Sequence, residues 1–256
     1  MSSIHPTAIV SSESIHGDGI TIGPYAIIEG GSEIDSGCAI GPHVYIGPNV
    51  RLGENVTVGH GASLGGAPQI RPACESPGGV IIGRETTIRE YVTVNAASRI
   101  DQYTCIGRNA LLMAYTHVGH DCDVGDNVTL VNSATLGGFV VVEHHATLSA
   151  MVPVHQFCRV GAYCYVGGGF RVVQDVPPYI LAAGDPLKPH GLNVVGLRRA
   201  GFSSDDLHRL KAIYRHVYRS GLNFAQVLER FDELEPSVER DVFAAFMKIS
   251  TRGIIR

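Results

Sequence analysis

Aliphatic side chains recur at every sixth position over most of this chain. Stepping by six through residues 82–172 meets sixteen aliphatic residues in succession. A second series covers residues 22–64 in the same step, and Ile9 and Ile15 form a short lead-in. A period of six fits neither a helix nor simple strand alternation, but it suits a triangular prism that turns one aliphatic side chain per side into its axis. The pattern therefore predicts a parallel β-helix of about nine coils, with three hexads in each coil.

The six-residue register breaks once and then ends. Between Leu64 and Ile82 the sequence GGAPQIRPACESPGG is rich in glycine and proline, which predicts a protruding loop over residues 65–80. The repeats stop near the paired prolines Pro177 and Pro178, because proline cannot continue a ladder of backbone hydrogen bonds. We therefore predict a β-helix domain over residues 1–185.

The spacing becomes helical from Phe202 onwards. Ser203 is predicted as a helix N-cap with Asp206 in the first turn, and Gly221 as the end of that helix. Two more helices are predicted over residues 223–234 and 236–250. These elements predict a C-terminal helical domain over residues 190–256, which closes the end of the β-helix and covers its last edge.

Composition excludes several classes of function. The net charge is −4, without a run of lysine and arginine, so nothing predicts a nucleic-acid partner. No apolar run approaches the ~18 residues of a membrane span, and the N-terminus lacks the pattern of a signal peptide. The six cysteines contain no Cys-x-x-Cys pair, which favours reduced thiols over disulfides or a zinc ribbon. We expect a soluble, cytoplasmic protein.

The densest group of polar residues is the segment YTHVGHDC, residues 115–122. Here His117 and His120 flank the inward Val118. Because aliphatic side chains fill the axis of the prism, a site has to lie on its outside, between copies of the chain, and we expect an oligomer. The neighbouring Asp121 could orient an imidazole for general-base catalysis. The alternative is that both histidines are ordinary surface or interface residues.

Several motifs together give the chain a resemblance to a known family. They are HPTAIV (5–10), THVGHDC (116–122), VHQF (154–157), QDVPPY (174–179), RRAGFS (198–203), YRSG (218–221) and STRGIIR (250–256). With them the chain resembles the UDP-N-acetylglucosamine O-acyltransferases, which open lipid A synthesis. The resemblance spans nearly the whole chain. It implies a left-handed β-helix, a homotrimer, and transfer of a 3-hydroxyacyl chain from acyl carrier protein to the sugar 3-hydroxyl.

The resemblance also implies roles for ten residues and no cofactor or metal ion. His120 matches the general base, Asp121 its support, and the backbone N–H of Gly138 the donor to the oxyanion. Gly168 matches the position that limits acyl-chain length. The other positions that line the donor and nucleotide-sugar sites are Gln69, His117, His155, Gln156, Asn193 and Arg199.

Five positions depart from the family pattern, mostly where the acceptor is held. Gln69 is followed by Ile70 rather than an acidic residue, and Asn95 and Phe139 stand where histidines are common. Val195 replaces an acidic residue, and Ala200 replaces an arginine. The acceptor is therefore open between UDP-N-acetylglucosamine and a different nucleotide sugar, such as one altered at the 3-position.

Three other functions share this scaffold. A γ-type carbonic anhydrase needs a His-x4-His pair, whereas the close pair here is His117-x-x-His120. A coenzyme A-dependent sugar acetyltransferase shares the β-helix but lacks the helical tail and the STRGIIR ending. A purely structural β-helix would not need His120 and Asp121.

Overall fold

The computed structural model describes residues 2–256 as short strands wound around one axis, followed by helices. The strands are, in chain order, β1 (Ser3–Ile4), β2 (Ile9–Val10), β3 (Ile15–His16), β4 (Thr21–Ile22), β5 (Ile27–Ile28), β6 (Glu33–Ile34), β7 (Ala39–Ile40), β8 (Tyr45–Ile46), β9 (Val50–Leu52), β10 (Thr57–Val58), β11 (Ser63–Gly66), β12 (Gly79–Ile82), β13 (Thr87–Ile88), β14 (Thr93–Asn95), β15 (Tyr103–Ile106), β16 (Leu111–Leu112), β17 (His117–Val118), β18 (Asp123–Val124), β19 (Thr129–Leu130), β20 (Thr135–Leu136), β21 (Val141–Val142), β22 (Thr147–Leu148), β23 (Pro153–Val154), β24 (Arg159–Val160), β25 (Tyr165–Val166), β26 (Ile180–Ala183) and β27 (Lys188–Leu192).

Successive strands belong in turn to three sheets, which form the faces of a triangular prism. The first face runs from β1 through β4 and every third strand to β25, then adds β26 and β27. The second face runs from β2 to β23, and the third from β3 to β24. All strand pairs are parallel except β26 with β27. From Ile22 onwards the inward aliphatic residues are almost fully buried. The predicted left-handed parallel β-helix is confirmed.

The predicted lead-in at Ile9 and Ile15 was out of phase by one residue. Both side chains are 66% exposed. Pairing instead matches Val10 with Ile28 and His16 with Ile34, so Val10 and His16 are the inward residues. Isoleucine and valine are adjacent in β2, and hydrophobicity alone does not choose between them. The parallel register with the next coil decides the phase.

Ile100 was also predicted to point inward, and it is 65% exposed. The third-face strand of that coil is β15, and Ile106 is its inward residue. Residues 96–102 form a second excursion from the prism. The predicted excursion lies between β11 and β12 and covers residues 67–78. The second excursion adds six residues to its coil. The six-residue spacing of aliphatic residues therefore continues through it and gives no sign that the chain leaves the prism there.

The chain ends in four helices, α1 (Val194–Arg199), α2 (Ser204–Arg219), α3 (Phe224–Glu229) and α4 (Val238–Ile249), with a 3₁₀ turn at Phe231–Glu233. As predicted, Ser203 caps α2 and Asp206 completes its capping box. The helix expected over 223–234 is divided into α3 and the 3₁₀ turn, and α1 was not predicted. The proposed domain boundary near residues 185–190 falls within the antiparallel pair β26–β27. No helix within residues 2–256 is long and apolar enough to cross a membrane.

Candidate active site

The corner that follows β17 holds a buried histidine and carboxylate in direct contact. His120 Nδ1 lies 2.6 Å from Asp121 Oδ2, and the two side chains are only 12% and 6% exposed. Asp121 has a left-handed backbone conformation, with φ of 60°, which aspartate tolerates better than most residues. With Nδ1–H donated to the carboxylate, Nε2 carries the free lone pair of the imidazole. This arrangement suits a general base.

Asp121 is held by the second excursion, which sequence analysis missed. Its two carboxylate oxygens accept the N–H of Ser98 at 3.1 and 3.2 Å, and its own N–H donates to Thr104 Oγ1 at 2.8 Å. Ser98 in turn accepts the thiol of Cys74, in the longer excursion, through its carbonyl oxygen at 3.1 Å. Both excursions leave the prism at the corner that carries Asp121. The second excursion bonds the carboxylate directly through Ser98, and the longer one bonds Ser98 through Cys74.

Gly138 lies one coil beyond His120, because β17 and β20 pair in register. A Cβ atom at Gly138 would lie 2.5 Å from His120 Nε2, so only glycine allows the imidazole to face this backbone so closely. The Gly138 N–H donates to no acceptor within residues 2–256. The free lone pair and the free N–H thus adjoin each other.

These groups open into a cavity of about 450 Å³ on the second face. Its lining residues are Gln69, Asn95, His117, Gly119, His120, Thr135, Leu136, Gly137, Gly138, Val154, His155 and Gln156. Seven of the ten residues with predicted roles therefore border this cavity or support it, with Asp121 behind His120. The structure brings together residues 69, 117, 120, 138, 155 and 156 from four coils, although most of them are far apart in the sequence.

His117 lies in β17, just before the corner that carries His120. Its Nδ1 lies 2.8 Å from Thr93 Oγ1. Burial lowers the pKa of His117, and the nearby His120 lowers it further. The His117 imidazole is therefore neutral at neutral pH and offers the cavity a polar group without a charge.

Asn95 supports the loop that carries Gln69. Its Nδ2 donates to the carbonyl oxygen of Ala67 at 3.1 Å, and the residue is only 6% exposed. Its Oδ1 is buried and has no partner among the described residues. A histidine at this position would have to reach Ala67 with a different geometry. The departure from the family pattern at Asn95 therefore has a structural role in this chain, at the base of the loop.

Two exposed phenylalanines continue the corner beyond Asp121. Phe139 contacts His120 edge to face, with ring centroids 5.3 Å apart, and stacks on Phe157 at 5.0 Å. They are 38% and 48% exposed. The Phe139 ring therefore covers one side of the His120 imidazole.

Comparison with known proteins identifies the family. Residues 175–255 match the model described as UDP-N-acetylglucosamine O-acyltransferase, domain 2, and residues 34–66 and 105–138 match bacterial transferase hexapeptide repeats. An acyl-acyl-carrier-protein–UDP-N-acetylglucosamine O-acyltransferase from Paraburkholderia phymatum is 41% identical over 262 residues, all of both chains. The chain belongs to the UDP-N-acetylglucosamine O-acyltransferase family.

Solved structures of this family share the whole architecture. A UDP-N-acetylglucosamine acyltransferase from Bacteroides fragilis matches with a TM-score of 0.96 and 35% identity, over 98% of this chain and 99% of that chain. A protein of the same family from Acinetobacter baumannii matches with a TM-score of 0.94 and 32% identity, over 99% of both chains. The helical end is included in both matches.

Two predicted substrate residues of this O-acyltransferase lie away from the cavity. Asn193 and Arg199 border a separate cavity of about 410 Å³ against β22 and β25 on the first face. Asn193 is buried, and it uses both polar atoms within the chain: Oδ1 accepts Gly196 N–H at 3.1 Å, and Nδ2 donates to the Tyr163 carbonyl at 2.9 Å. Arg199 is exposed. One copy of the chain cannot bring Arg199 to His120.

Gly168 lies on the edge between these two faces. A Cβ atom there would lie 3.2 Å from the carbonyl oxygen of Ala150 and 3.4 Å from Ser149 Oγ. A side chain at this position would therefore be in tight contact with the same corner of the preceding coil. The assignment of Gly168 to the acyl-chain groove stays a prediction.

Proposed function

We propose that this protein transfers a 3-hydroxyacyl chain from acyl carrier protein to the 3-hydroxyl of UDP-N-acetylglucosamine, the first step of lipid A synthesis. The observation that carries the proposal is the arrangement of His120, Asp121 and Gly138. A base with a free Nε2 faces a backbone N–H that has no other acceptor. Acyl transfer to a hydroxyl needs both groups together.

The proposed reaction is a direct attack of the sugar on the thioester. His120 Nε2 removes the proton of the 3-hydroxyl while its oxygen bonds to the thioester carbon. The carbonyl oxygen becomes an oxyanion and accepts the Gly138 N–H. The intermediate then breaks its carbon–sulfur bond, and the imidazolium returns the proton to the departing thiolate. Asp121 stabilises the imidazolium between these steps. The products are an ester and a thiol, and no bond to the protein forms.

We further propose a homotrimer that shares its active sites between neighbouring copies. The catalytic cavity lies on the second face and the cavity beside Arg199 on the first. A closed ring of three copies would place the first face of one prism against the second face of the next. Residues from two copies, including Asn193, Arg199 and Gly168, would then complete each site.

The cytoplasm is the compartment we propose for this reaction. All six cysteines have free thiols, as expected in a reducing compartment. The carrier protein is the proposed macromolecular partner.

The test is to incubate the protein with a panel of 3-hydroxyacyl carrier proteins and UDP-N-acetylglucosamine, and to detect products by mass spectrometry. Replacing His120 with alanine should lower the rate by about 10²-fold or more. His144→Ala is a matched control, because His144 occupies the same corner position on a different edge of the prism and is exposed. Acylation only of a sugar with an amine at the 3-position would contradict the proposed acceptor. Acylation from coenzyme A but not from the carrier would contradict the proposed donor.

A further inference from the structure

The last residues of the chain are fastened to the end of the β-helix. Asp175, fully buried, accepts the hydroxyl of Ser250 at 2.7 Å. The Asp175 backbone N–H donates to the carbonyl of Gly253 at 2.8 Å, and its carbonyl accepts the N–H of Ile255 at 3.0 Å. The side chains of Ile254 and Ile255 are buried. The segment 250–255 is therefore held on both sides of Arg252, and its backbone has a defined place beside the last coils.

This anchoring brings the Arg252 side chain to the rim of the catalytic cavity. Its Nη2 lies 3.3 Å from Nδ1 of His155 and 3.4 Å from the carbonyl oxygen of Val173. His155 lines the cavity. Its Nδ1 also lies 3.0 Å from the carbonyl of Gln156, and a nitrogen that donates to that carbonyl cannot accept from Arg252. The guanidinium also lies near the Cys158 thiol, where its charge opposes the rise that burial causes in the pKa of that thiol. Its contacts with His155 and Val173 are long.

Arg252 is an exposed cation with most of its hydrogen-bonding capacity unused. A guanidinium has five N–H donors, and Arg252 forms no ion pair with any carboxylate within residues 2–256. The cavity itself has no lysine or arginine among its described lining residues. Arg252 contacts the lining residue His155 and so places a permanent positive charge at the rim of the cavity.

We propose that Arg252 binds a phosphate group of a substrate. This inference rests on the proposed function, in which both substrates carry phosphate: the diphosphate of the nucleotide sugar and the phosphodiester of the carrier's phosphopantetheine. His155 lies two coils beyond the His117 coil, about 9.6 Å at the strand spacing of a β-sheet. A sugar ring with its phosphate spans such a gap when its hydroxyl lies at His120. A planar guanidinium can donate two parallel hydrogen bonds to one phosphate.

The test measures binding without turnover, by calorimetry with UDP, uridine and 4′-phosphopantetheine as probes. Arg252→Gln keeps a planar donor for the Val173 carbonyl and removes the charge. We expect this variant to bind one phosphate-bearing probe about 10-fold more weakly, as for loss of a charged hydrogen bond, with unchanged binding of uridine. Arg252→Lys should recover part of the affinity as a point charge. Arg230→Gln, which removes an exposed arginine elsewhere in the helical region, is the matched control.

The pattern of losses identifies the phosphate. Weaker binding of UDP alone assigns Arg252 to the nucleotide diphosphate, and weaker binding of phosphopantetheine alone assigns it to the carrier. Equal weakening of UDP and uridine, or no change with either phosphate probe, overturns the proposal. A wild-type protein that binds these probes through Arg252 but does not acylate UDP-N-acetylglucosamine would instead contradict the proposed function.

Discussion

His120 and Asp121 are adjacent in the chain, and their side chains also contact each other, with Nδ1 2.6 Å from Oδ2. Neighbouring side chains usually diverge. Here the left-handed φ of Asp121 turns its carboxylate back toward the imidazole, and the N–H of Ser98 holds it there. The contact determines which imidazole nitrogen faces the cavity.

Asp121→Asn should lower kcat by about 10²-fold, within the range of general-base catalysis, with a much smaller effect on KM. The asparagine oxygen can still accept from Ser98, which leaves its NH₂ group facing His120. Nδ1 must then accept, and the proton moves to Nε2, where the lone pair is needed. Steady-state kinetics on the purified variant measure this. Asp123→Asn is the control, because Asp123 is exposed on the following strand. A kcat near that of the wild-type protein would show that Asp121 does not set the tautomer.

Gly138→Ala should lower kcat about as much as Asp121→Asn does, while leaving the fold intact. The new Cβ would lie 2.5 Å from His120 Nε2 and 2.6 Å from Cε1. Because the obstructed group is a side chain, the imidazole can rotate away, and the base is displaced at little cost to folding. Gly66→Ala is a suitable control, since its nearest contact is an ordinary 3.5 Å to Asn95 Nδ2. Thermal unfolding and steady-state kinetics together test this. A Gly138→Ala protein with the wild-type kcat would show that the activity of His120 does not depend on a glycine at position 138.

The repeat predicted the fold because each side of the triangular prism turns one aliphatic side chain into the axis, which gives a period of six residues. It could not predict the second excursion, because an inserted hexad preserves the period and places Ile100 where an inward residue was expected. The sequence also did not identify Val10 as the inward residue of β2. In the Ile9–Val10 pair both side chains are hydrophobic, and only pairing with the next coil distinguishes them.

The candidate site was predicted to the extent that side chains identify it. The THVGHDC motif pointed to His120 and Asp121, and the cavity collects most of the other predicted residues. No sequence motif could identify Ser98 as the donor to Asp121, because every residue except proline offers the same backbone N–H. The contact of Arg252 with His155 joins residues 97 positions apart, and only the anchoring of the tail at Asp175 brings them together.

Acidification below about pH 6.5 should destabilise the protein partly through His117. Burial lowers its folded-state pKa below the ordinary value near 6.5. Between these two pKa values the unfolded chain binds a proton that the folded chain does not, so the free energy of unfolding falls as pH falls. Above the ordinary pKa, His117 contributes no pH dependence.

The measurement is the thermal midpoint at pH 7.5 and pH 5.5, about one unit either side of the ordinary histidine pKa. His117→Gln should lose less stability on acidification than the wild-type protein. Burial also lowers the pKa of His145, so His145→Gln should show a separate and smaller effect, since His145 is exposed. An equal loss in His117→Gln and wild-type protein would mean that His117 is not the source.

Mixing two inactive proteins should restore activity if neighbouring copies share each site. His120 lies on the second face and Arg199 beside the first. In trimers assembled from equal amounts of His120→Ala and Arg199→Ala chains, some sites would combine the intact second face of one copy with the intact first face of another. Random mixing around a closed heterologous ring makes about a quarter of the sites intact. A mixture of His120→Ala and Asp121→Asn is the control, because both changes lie at the same corner and no pairing of neighbours repairs them. Activity of the first mixture no higher than the mean of its two components would contradict a shared site and require Arg199 to act elsewhere.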